Sequence, residues 1–340
     1  MKKIFKATTT AALTSLLLSS NAFAADVTLR FGHFWPAVSD IHKEIYQEWA
    51  NEIEADSNGR IKVELYPASM LAKPPAQYDA VKHRILDVTA TVQGYSANRF
   101  PLTQIVELPG VVQNASQGSC VIQNLYEEGA FGKEYKDSKP LFLFTHGPGL
   151  LHVKGKNIED PSDLDGLRIR RPTAVVGSLL EELGALPVGM PAPESYQSMQ
   201  RGVIDGVALP WEGAKGFKLN ELADNHTEVG GLYSLAFLVT MNTSVYNKLD
   251  PELKAVIDKH SGKKWSNIAA SVFDRLDQEG LADAKAANHN IYRVDASSNQ
   301  KTWQPIFEQV TENYLSQLEA KGLPARNVYN RAMELSSTCS

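Results

Sequence analysis

The sequence lacks the short motifs that identify the common classes of enzyme. No G-x-S-x-G, H-E-x-x-H, Walker A or C-x-x-C pattern occurs in its 340 residues, so the signatures of serine hydrolases, zinc peptidases, P-loop nucleotide hydrolases and thiol oxidoreductases are missing. Gly147-Pro-Gly149 begins like a dinucleotide-binding loop, but neither a third glycine nor a helical pattern follows it. The sequence therefore predicts no catalytic residue, no cofactor and no metal site.

Basic runs and long apolar runs are also missing. The chain has 34 Lys and Arg against 39 Asp and Glu, a formal net charge of −5, which argues against binding to nucleic acids or to anionic membranes. The apolar run at 11–18 follows three lysines and precedes Ala22-Phe-Ala24, the pattern of a cleaved secretory signal peptide over residues 1–24. It is shorter than the ~20 residues that a membrane span requires. We therefore expect an exported, periplasmic protein whose net charge after cleavage is −8.

Cysteine is scarce, with only Cys120 and Cys339 present. Export to an oxidising compartment allows these two to form a disulfide. The alternative is a buried thiol on a helix at Cys120 and a frayed tail at Cys339. Two cysteines without a histidine nearby do not form a zinc site.

Strand and helix patterns alternate along the chain, which predicts an α/β fold. A strand, a helix and a second strand within residues 27–66 form a βαβ unit. Further strands are predicted at 88–92, 141–145, 167–171, 185–190, 203–209, 234–241 and 291–294. A long helical pattern starts at Asp250-Pro251, with Asp as N-cap and Pro at the first helical position. It continues to about residue 288, with bends expected at Gly262 and Gly280, and two more helices follow.

Two motifs in the middle of the chain carry a family resemblance. Residues 162–172 read Ser-Asp-Leu-Asp-Gly-Leu-Arg-Ile-Arg-Arg-Pro, and residues 202–206 read Gly-Val-Ile-Asp-Gly after an intervening helix. In this order and spacing they resemble the solute-binding receptors of TRAP (tripartite ATP-independent periplasmic) transporters. The similarity extends over the whole mature chain, from residue 29 into the helix that starts at Asp250.

The resemblance implies a two-lobed periplasmic binding protein fold of the type II-like, Venus-flytrap kind, with one long helix lying along both lobes. The expected division is lobe I from residues 25–149 plus about 235–275, and lobe II from residues 150–234 plus about 276–340. The implied function is to bind a small organic acid and deliver it to the membrane subunits of a TRAP transporter. Most relatives act as monomers, and we expect the same here.

Residues at the ends of predicted strands form the expected binding site, because ligands of such sheets lie beyond the carboxyl ends of the strands. Arg170 is the principal candidate, since a guanidinium can hold a carboxylate by two parallel charge-assisted hydrogen bonds and Arg170 matches the carboxylate-binding arginine of the family. Arg168 and Arg171 do not match that position. The other candidates, each with structural alternatives such as core packing or helix capping, are His33, Trp35, Gln93, Gly94, Tyr95, His146, Trp211 and Glu212.

The sequence departs from the family pattern in two places. Many relatives carry a second arginine where this chain has Gly149-Leu150-Leu151, and many have Glu-Asn-Pro where it has Ala208-Leu209-Pro210. Both changes remove polar groups and add apolar surface. The hypothesis is a ligand with one carboxylate and an apolar or aromatic body, such as an aromatic or branched 2-oxo or 2-hydroxy acid.

Other functions stay open at this point. The protein could present its ligand to a sensor instead of a transporter, or it could be a secreted enzyme with His33 or His146 as general base, although the sequence offers no nucleophile for it. A cation bridging Gln93 or Glu212 to the ligand is a further alternative.

Overall fold

The computed structural model describes residues 25–339, so the expected signal peptide at 1–24 lies outside the described residues. The strands are β1 Val27–His33, β2 Ile61–Tyr66, β3 Val88–Val92, β4 Lys139–Thr145, β5 Leu150–Val153, β6 Arg168–Arg171, β7 Leu186–Gly189, β8 Gly206–Leu209, β9 Asn225–Glu228, β10 Ala236–Met241 and β11 Asn290–Arg293. The helices are α1 Glu48–Asp56, α2 Gln77–Lys82, α3 Ala115–Glu127, α4 Ala174–Glu182, α5 Ser195–Gln200, α6 Trp211–Gly216, α7 Thr243–Lys248, α8 Pro251–Lys259, α9 Lys263–Ala286, α10 Ala296–Ser298, α11 Gln304–Glu319 and α12 Ala325–Thr338.

The strands form two mixed sheets. The first sheet has the order β2-β1-β3-β10-β4, and the second has the order β11-β9-β5-β8-β6-β7. In each sheet one strand, β10 or β5, runs antiparallel to its neighbours. The chain passes between the sheets after β4 and returns before β10, and these two connections are joined where the Gly149 amide donates to the Tyr233 carbonyl at 2.7 Å. Two β-sheets, each with its own helices and linked in this way, confirm the two-lobed α/β fold.

The expected elements are present, and two short strands are additional. β5 and β9 were not predicted, whereas the strand expected at 203–209 is confined to β8. The long helical pattern is divided at Gly262, whose φ of 67° is unfavourable for other residues. Through Gly280 the helix is continuous. A Cβ there would lie 2.4 Å from the Trp211 carbonyl oxygen, so this glycine allows α6 to pack closely against α9.

Helix α9 contacts elements of both sheets. Its 24 residues span about 36 Å, and it packs on α3 and β4 at one side and on α6 at the other. Asp274 caps α3, since its carboxylate accepts from the amides of Ala115 at 2.7 Å and Ser116 at 3.0 Å. Asp277 accepts from the amide of Glu212 at 2.7 Å, in the first turn of α6. One turn of α9 therefore holds a helix from each lobe.

The same arginine–aspartate arrangement braces each sheet. In the first sheet, Asp87 accepts from the backbone amide and the guanidinium of Arg30, and its own amide donates to the Arg30 carbonyl. In the second sheet, Asp205 does the same with Arg168. Asp205 belongs to the Gly-Val-Ile-Asp-Gly motif, so that motif has a structural role. Arg168 is engaged in this brace.

The C-terminal end of the chain returns to the first sheet. Helix α12 packs against α3, although the expected division assigned residues 276–340 to lobe II. A disulfide between Cys120 in α3 and Cys339 after α12 joins the two segments. The other lobe boundaries stay predictions.

Candidate functional site

Each sheet has one edge at which the carboxyl ends of several strands lie, which we call its functional edge. The functional edges of the two sheets face each other. The carboxyl ends of β1, β3 and β4 lie at one edge with the start of β10, while the carboxyl ends of β6, β7 and β8 lie at the other with the start of β5. The two edges are in direct contact. Arg170 donates from Nη2 to the Tyr95 hydroxyl at 3.2 Å, and Gly94 lies so close to Thr173 that a Cβ would approach its methyl group to 2.3 Å.

Arg170 is fully buried and carries a fixed positive charge. Its Nε donates to the Met190 carbonyl at 3.0 Å and its Nη1 to the Ala208 carbonyl at 3.1 Å. Among the described residues no carboxylate lies within ion-pairing distance of it. Burial of a cation without an anion beside it costs free energy. An anion that binds next to this guanidinium therefore offsets that cost.

Aromatic rings form an apolar wall on the first-sheet side. Trp35 is 3% exposed, and its ring stacks on Phe34 at 3.8 Å between centroids. It also lies 5.4 Å from the ring of Tyr46 and 5.7 Å from that of Phe237. Phe34 in turn lies 5.9 Å from Tyr95, which connects this wall to the hydroxyl that contacts Arg170.

The two candidate histidines are both buried but differ in their partners. His33 exchanges a hydrogen bond with His42, Nε2 to Nδ1, at 2.9 Å, and burial lowers the pKa of His33 to about 3. Burial, opposed by a bond to the Gly147 carbonyl, lowers the pKa of His146 to about 4, and the nearby charge of Arg170 acts in the same direction. The His146 Nε2 is buried and has no partner among the described residues. Both rings are therefore neutral at pH 7.

Glu212 is a buried carboxyl group at the start of α6. It is 5% exposed, and burial, aided by the charge of Asp277, raises the pKa of Glu212 well above its usual value. Its charge also contributes to raising the pKa values of Tyr46 and Tyr233, which places it near both hydroxyls. At the start of α6 the backbone amide of Glu212 donates to the Asp277 carboxylate, so the capping side chain is that of Asp277 and not that of Glu212.

Trp211 and Gln93 are occupied elsewhere. The Trp211 indole donates to Glu228 at 2.8 Å, and its ring packs beside His152 and His226 in a cluster separate from the one that contains Trp35. Gln93 accepts from the Tyr135 hydroxyl at 2.7 Å and donates to the Phe237 carbonyl at 3.4 Å. Both ends of its amide are thus used within the first lobe.

Sequence reasoning missed three aromatic residues that lie among the candidates, namely Tyr46, Tyr233 and Phe237. Tyr233 and Phe237 lie beside the start of β10, which reaches the functional edge because β10 is antiparallel to its neighbours. A search restricted to carboxyl ends of strands could not find them. The structure shows why Gly149 is needed beside Tyr233, since a Cβ there would lie 2.1 Å from the Tyr233 ring, but this contact cannot be read from the sequence.

Neither a membrane-spanning helix nor a metal-binding cluster occurs in the part of the chain that the structure describes. No helix over residues 25–339 is long and apolar enough to cross a membrane. In the same residues, no three His, Cys, Asp or Glu side chains are grouped so that they could hold a metal ion.

Known proteins with the same architecture were identified by sequence and structure. The family model for bacterial extracellular solute-binding proteins, family 7, matches residues 31–317. A TRAP solute-binding protein from an unidentified marine microbe, specific for aromatic acid ligands and crystallised with 3-hydroxybenzoate, is 34% identical, with a TM-score of 0.89 over 93% of this chain and 100% of that one. A TRAP solute-binding protein from Rhodoferax ferrireducens with copurified benzoate is 35% identical, with a TM-score of 0.87 over 92% and 98%.

A more distant structure shares the same architecture. A TRAP periplasmic solute-binding protein from Bordetella bronchiseptica with bound (R)- and (S)-mandelate is 25% identical, with a TM-score of 0.84 over 92% of this chain and 99% of that one.

Proposed function

Because the chain belongs to the family 7 extracellular solute-binding proteins, the family of TRAP solute receptors, we propose that it is the periplasmic receptor of a TRAP transporter for a small aromatic monocarboxylate. It binds the acid between its lobes and delivers it to the membrane subunits. The signal peptide at residues 1–24 directs its export.

The buried guanidinium of Arg170 is the observation that carries this proposal. Two carbonyls and one hydroxyl fix its plane, and no carboxylate among the described residues neutralises it. A ligand carboxylate that enters the cleft gains a charge-assisted hydrogen bond in a site of low dielectric constant. Arg170 is the one arginine or lysine that is buried among the described residues, which favours a ligand with one carboxylate.

The aromatic wall supports an aromatic body for the ligand, and it includes Trp35, Tyr46 and Phe237. Rings of this kind bury a planar ligand at low entropic cost and pack against it edge to face or offset. Leu150 and Leu209, at the two positions where the sequence departs from the family pattern, are 3% and 4% exposed but pack in other apolar clusters, Leu150 with Trp211 and Leu209 with Val207. Two structures about a third identical to this chain contain benzoate or 3-hydroxybenzoate.

Contacts that cross between the lobes hold them in a closed arrangement. Besides the Arg170–Tyr95 hydrogen bond, Thr173 donates to the buried carboxylate of Glu107 at 2.8 Å. A ligand that touches both lobes stabilises this closed arrangement by its differential affinity for it. The protein needs no chemistry of its own, and we propose that it is not an enzyme, since neither His33 nor His146 contacts a nucleophile among the described residues.

The test is to titrate ligands into the mature protein after denaturation and refolding, which removes any copurified acid. Isothermal titration should give binding of benzoate, 3-hydroxybenzoate or mandelate, and little or none of succinate or sialic acid. Mass spectrometry of the small molecules released on denaturation should find an aromatic acid. Tight binding of succinate or of sialic acid, with all three aromatic acids inert, would contradict the proposal.

A further inference from the structure

His146 has one ring nitrogen engaged in a hydrogen bond and one buried without a partner among the described residues. Its Nδ1 contacts the Gly147 carbonyl oxygen, which can only accept, so Nδ1 must carry the proton. Nε2 of the neutral ring then presents a lone pair. This atom is buried, and it has no hydrogen-bond partner among the described residues. A buried acceptor left in this state favours a ligand that supplies a donor.

The ring is held rigidly beside the other groups of the site. His146 is 1% exposed, and its carbonyl accepts from the Ser234 hydroxyl at 2.8 Å. Its ring meets those of Tyr233 and Phe237 edge-on, at 5.7 Å and 5.9 Å between centroids. The charge of Arg170 is close enough to lower the pKa of His146. A molecule bound to Arg170 and in contact with Phe237 therefore lies next to Nε2.

Neighbouring side chains leave this acceptor free. The Tyr233 hydroxyl lies on an adjacent ring and can donate, but it too is buried without a partner in the part of the chain that the structure describes. The edge-on arrangement of the two rings does not join the hydroxyl to Nε2. Two polar atoms on neighbouring rings are thus buried without a partner among the described residues. One of them can only accept, and the other can donate as well as accept.

We infer that the ligand carries a hydroxyl group that donates a hydrogen bond to Nε2 of His146. The receptor then selects hydroxylated aromatic acids over analogues that carry an oxo or ether oxygen at the same place, because such an oxygen would face the nitrogen lone pair. This inference rests on the proposed function and deepens it. It assigns specificity to His146 and attachment of the carboxylate to Arg170.

Matched ligand pairs test this selectivity in the wild-type mature protein. One pair is mandelate and phenylglyoxylate, and the other is 3-hydroxybenzoate and 3-methoxybenzoate. Each pair replaces a donor with an oxygen that only accepts. At pH 7 we expect the hydroxyl member of at least one pair to bind ~10-fold tighter or more. Equal affinities within both pairs, or a preference for the oxo and methoxy members, would overturn the inference.

Variants connect the preference to His146. In His146→Leu the ratio of affinities within the preferred pair should fall to within about threefold, whereas His146→Gln should restore much of it because its amide oxygen can accept. His83→Leu, at an exposed position, is the matched control and should keep the wild-type ratio. A ratio that survives in His146→Leu would assign the selectivity to another group.

A second measurement needs no variant. The protein is labelled with ¹⁵N-histidine, and the Nε2 resonance of His146 is followed while 3-hydroxybenzoate or mandelate binds. In a neutral ring protonated at Nδ1, this resonance should move upfield on binding, because the Nε2 lone pair then receives a hydrogen bond. An unchanged resonance with a saturating hydroxy acid would refute the contact. If no aromatic acid binds at all, the proposed function fails as well; if all bind without regard to the hydroxyl, only the role of His146 fails.

Discussion

Replacement of Arg170 by lysine should abolish tight ligand binding while the protein stays folded. Lysine keeps the charge but concentrates its donors on one atom, so it cannot reach both the Met190 and Ala208 carbonyls and still hold a carboxylate in a fixed plane. Loss of one charge-assisted hydrogen bond costs about 1.5–3 kcal/mol. A total of about 3 kcal/mol corresponds to ~100-fold weaker binding.

Thermal or urea unfolding with ligand measures this loss directly. At a ligand concentration 100 times the wild-type dissociation constant, the wild type gains about 2.7 kcal/mol of stability, while a variant with 100-fold weaker affinity gains roughly 0.4 kcal/mol. Arg168→Lys is the matched control, because Arg168 lies on the same strand but pairs with Asp205. It should lower stability and leave affinity within about threefold. If folded Arg170→Lys bound the ligand as tightly as this control, the assigned role of Arg170 would be wrong.

Three further changes test the fold around the site. Cys120→Ser with Cys339→Ser opens a link between residues 219 positions apart and should lower the free energy of unfolding by up to about 5 kcal/mol, as measured in urea; an unchanged midpoint would contradict this. Gly280→Ala should destabilise by roughly 1–3 kcal/mol, because its Cβ would meet the backbone of α6, whereas Gly216→Ala, which meets open space, should be neutral or slightly stabilising. Burial raises the pKa of Glu107 to about 7, so the neutral form stabilises the protein below pH 4.5 and this contribution is lost as the pH rises through 7. Glu107→Gln should flatten that dependence, which a series of unfolding curves from pH 4.5 to 8 would detect.

Most of the fold could be read from the sequence because its strands are apolar and its helices are capped by recognisable residues. β5 was missed, although its length of four residues is shared by β6, β7, β8 and β11, which were predicted. β9 escaped because it reads Asn-His-Thr-Glu. Its polar side chains are buried through partners that are distant in sequence. His226 bonds to His152 at 2.7 Å and to His289 at 2.9 Å. Periodicity does not reveal such a strand, since its burial depends on tertiary neighbours.

The site was harder to read because adjacent residues face different ways. Arg170, Tyr95, Trp35 and His146 were expected near one another because each lies at or just after the end of a predicted strand. Trp211 and Glu212 are consecutive in a helix, and the helical turn of about 100° per residue directs their side chains toward different neighbours. Which neighbours each side chain meets depends on where α9 packs, which local sequence does not specify.

Two aspartates in α9 that cap helices α3 and α6 limit how this protein can change in evolution. Asp274 and Asp277 lie three residues apart and hold helices that belong to opposite lobes. Inserting a single residue between them would rotate one carboxylate by about 100° relative to the other and shift it by about 1.5 Å along the axis, so one lobe would lose its attachment. Surface loops can lengthen at little cost. The length of this turn of α9, in contrast, cannot change, because the spacing of its two aspartates fixes the orientation of one lobe relative to the other.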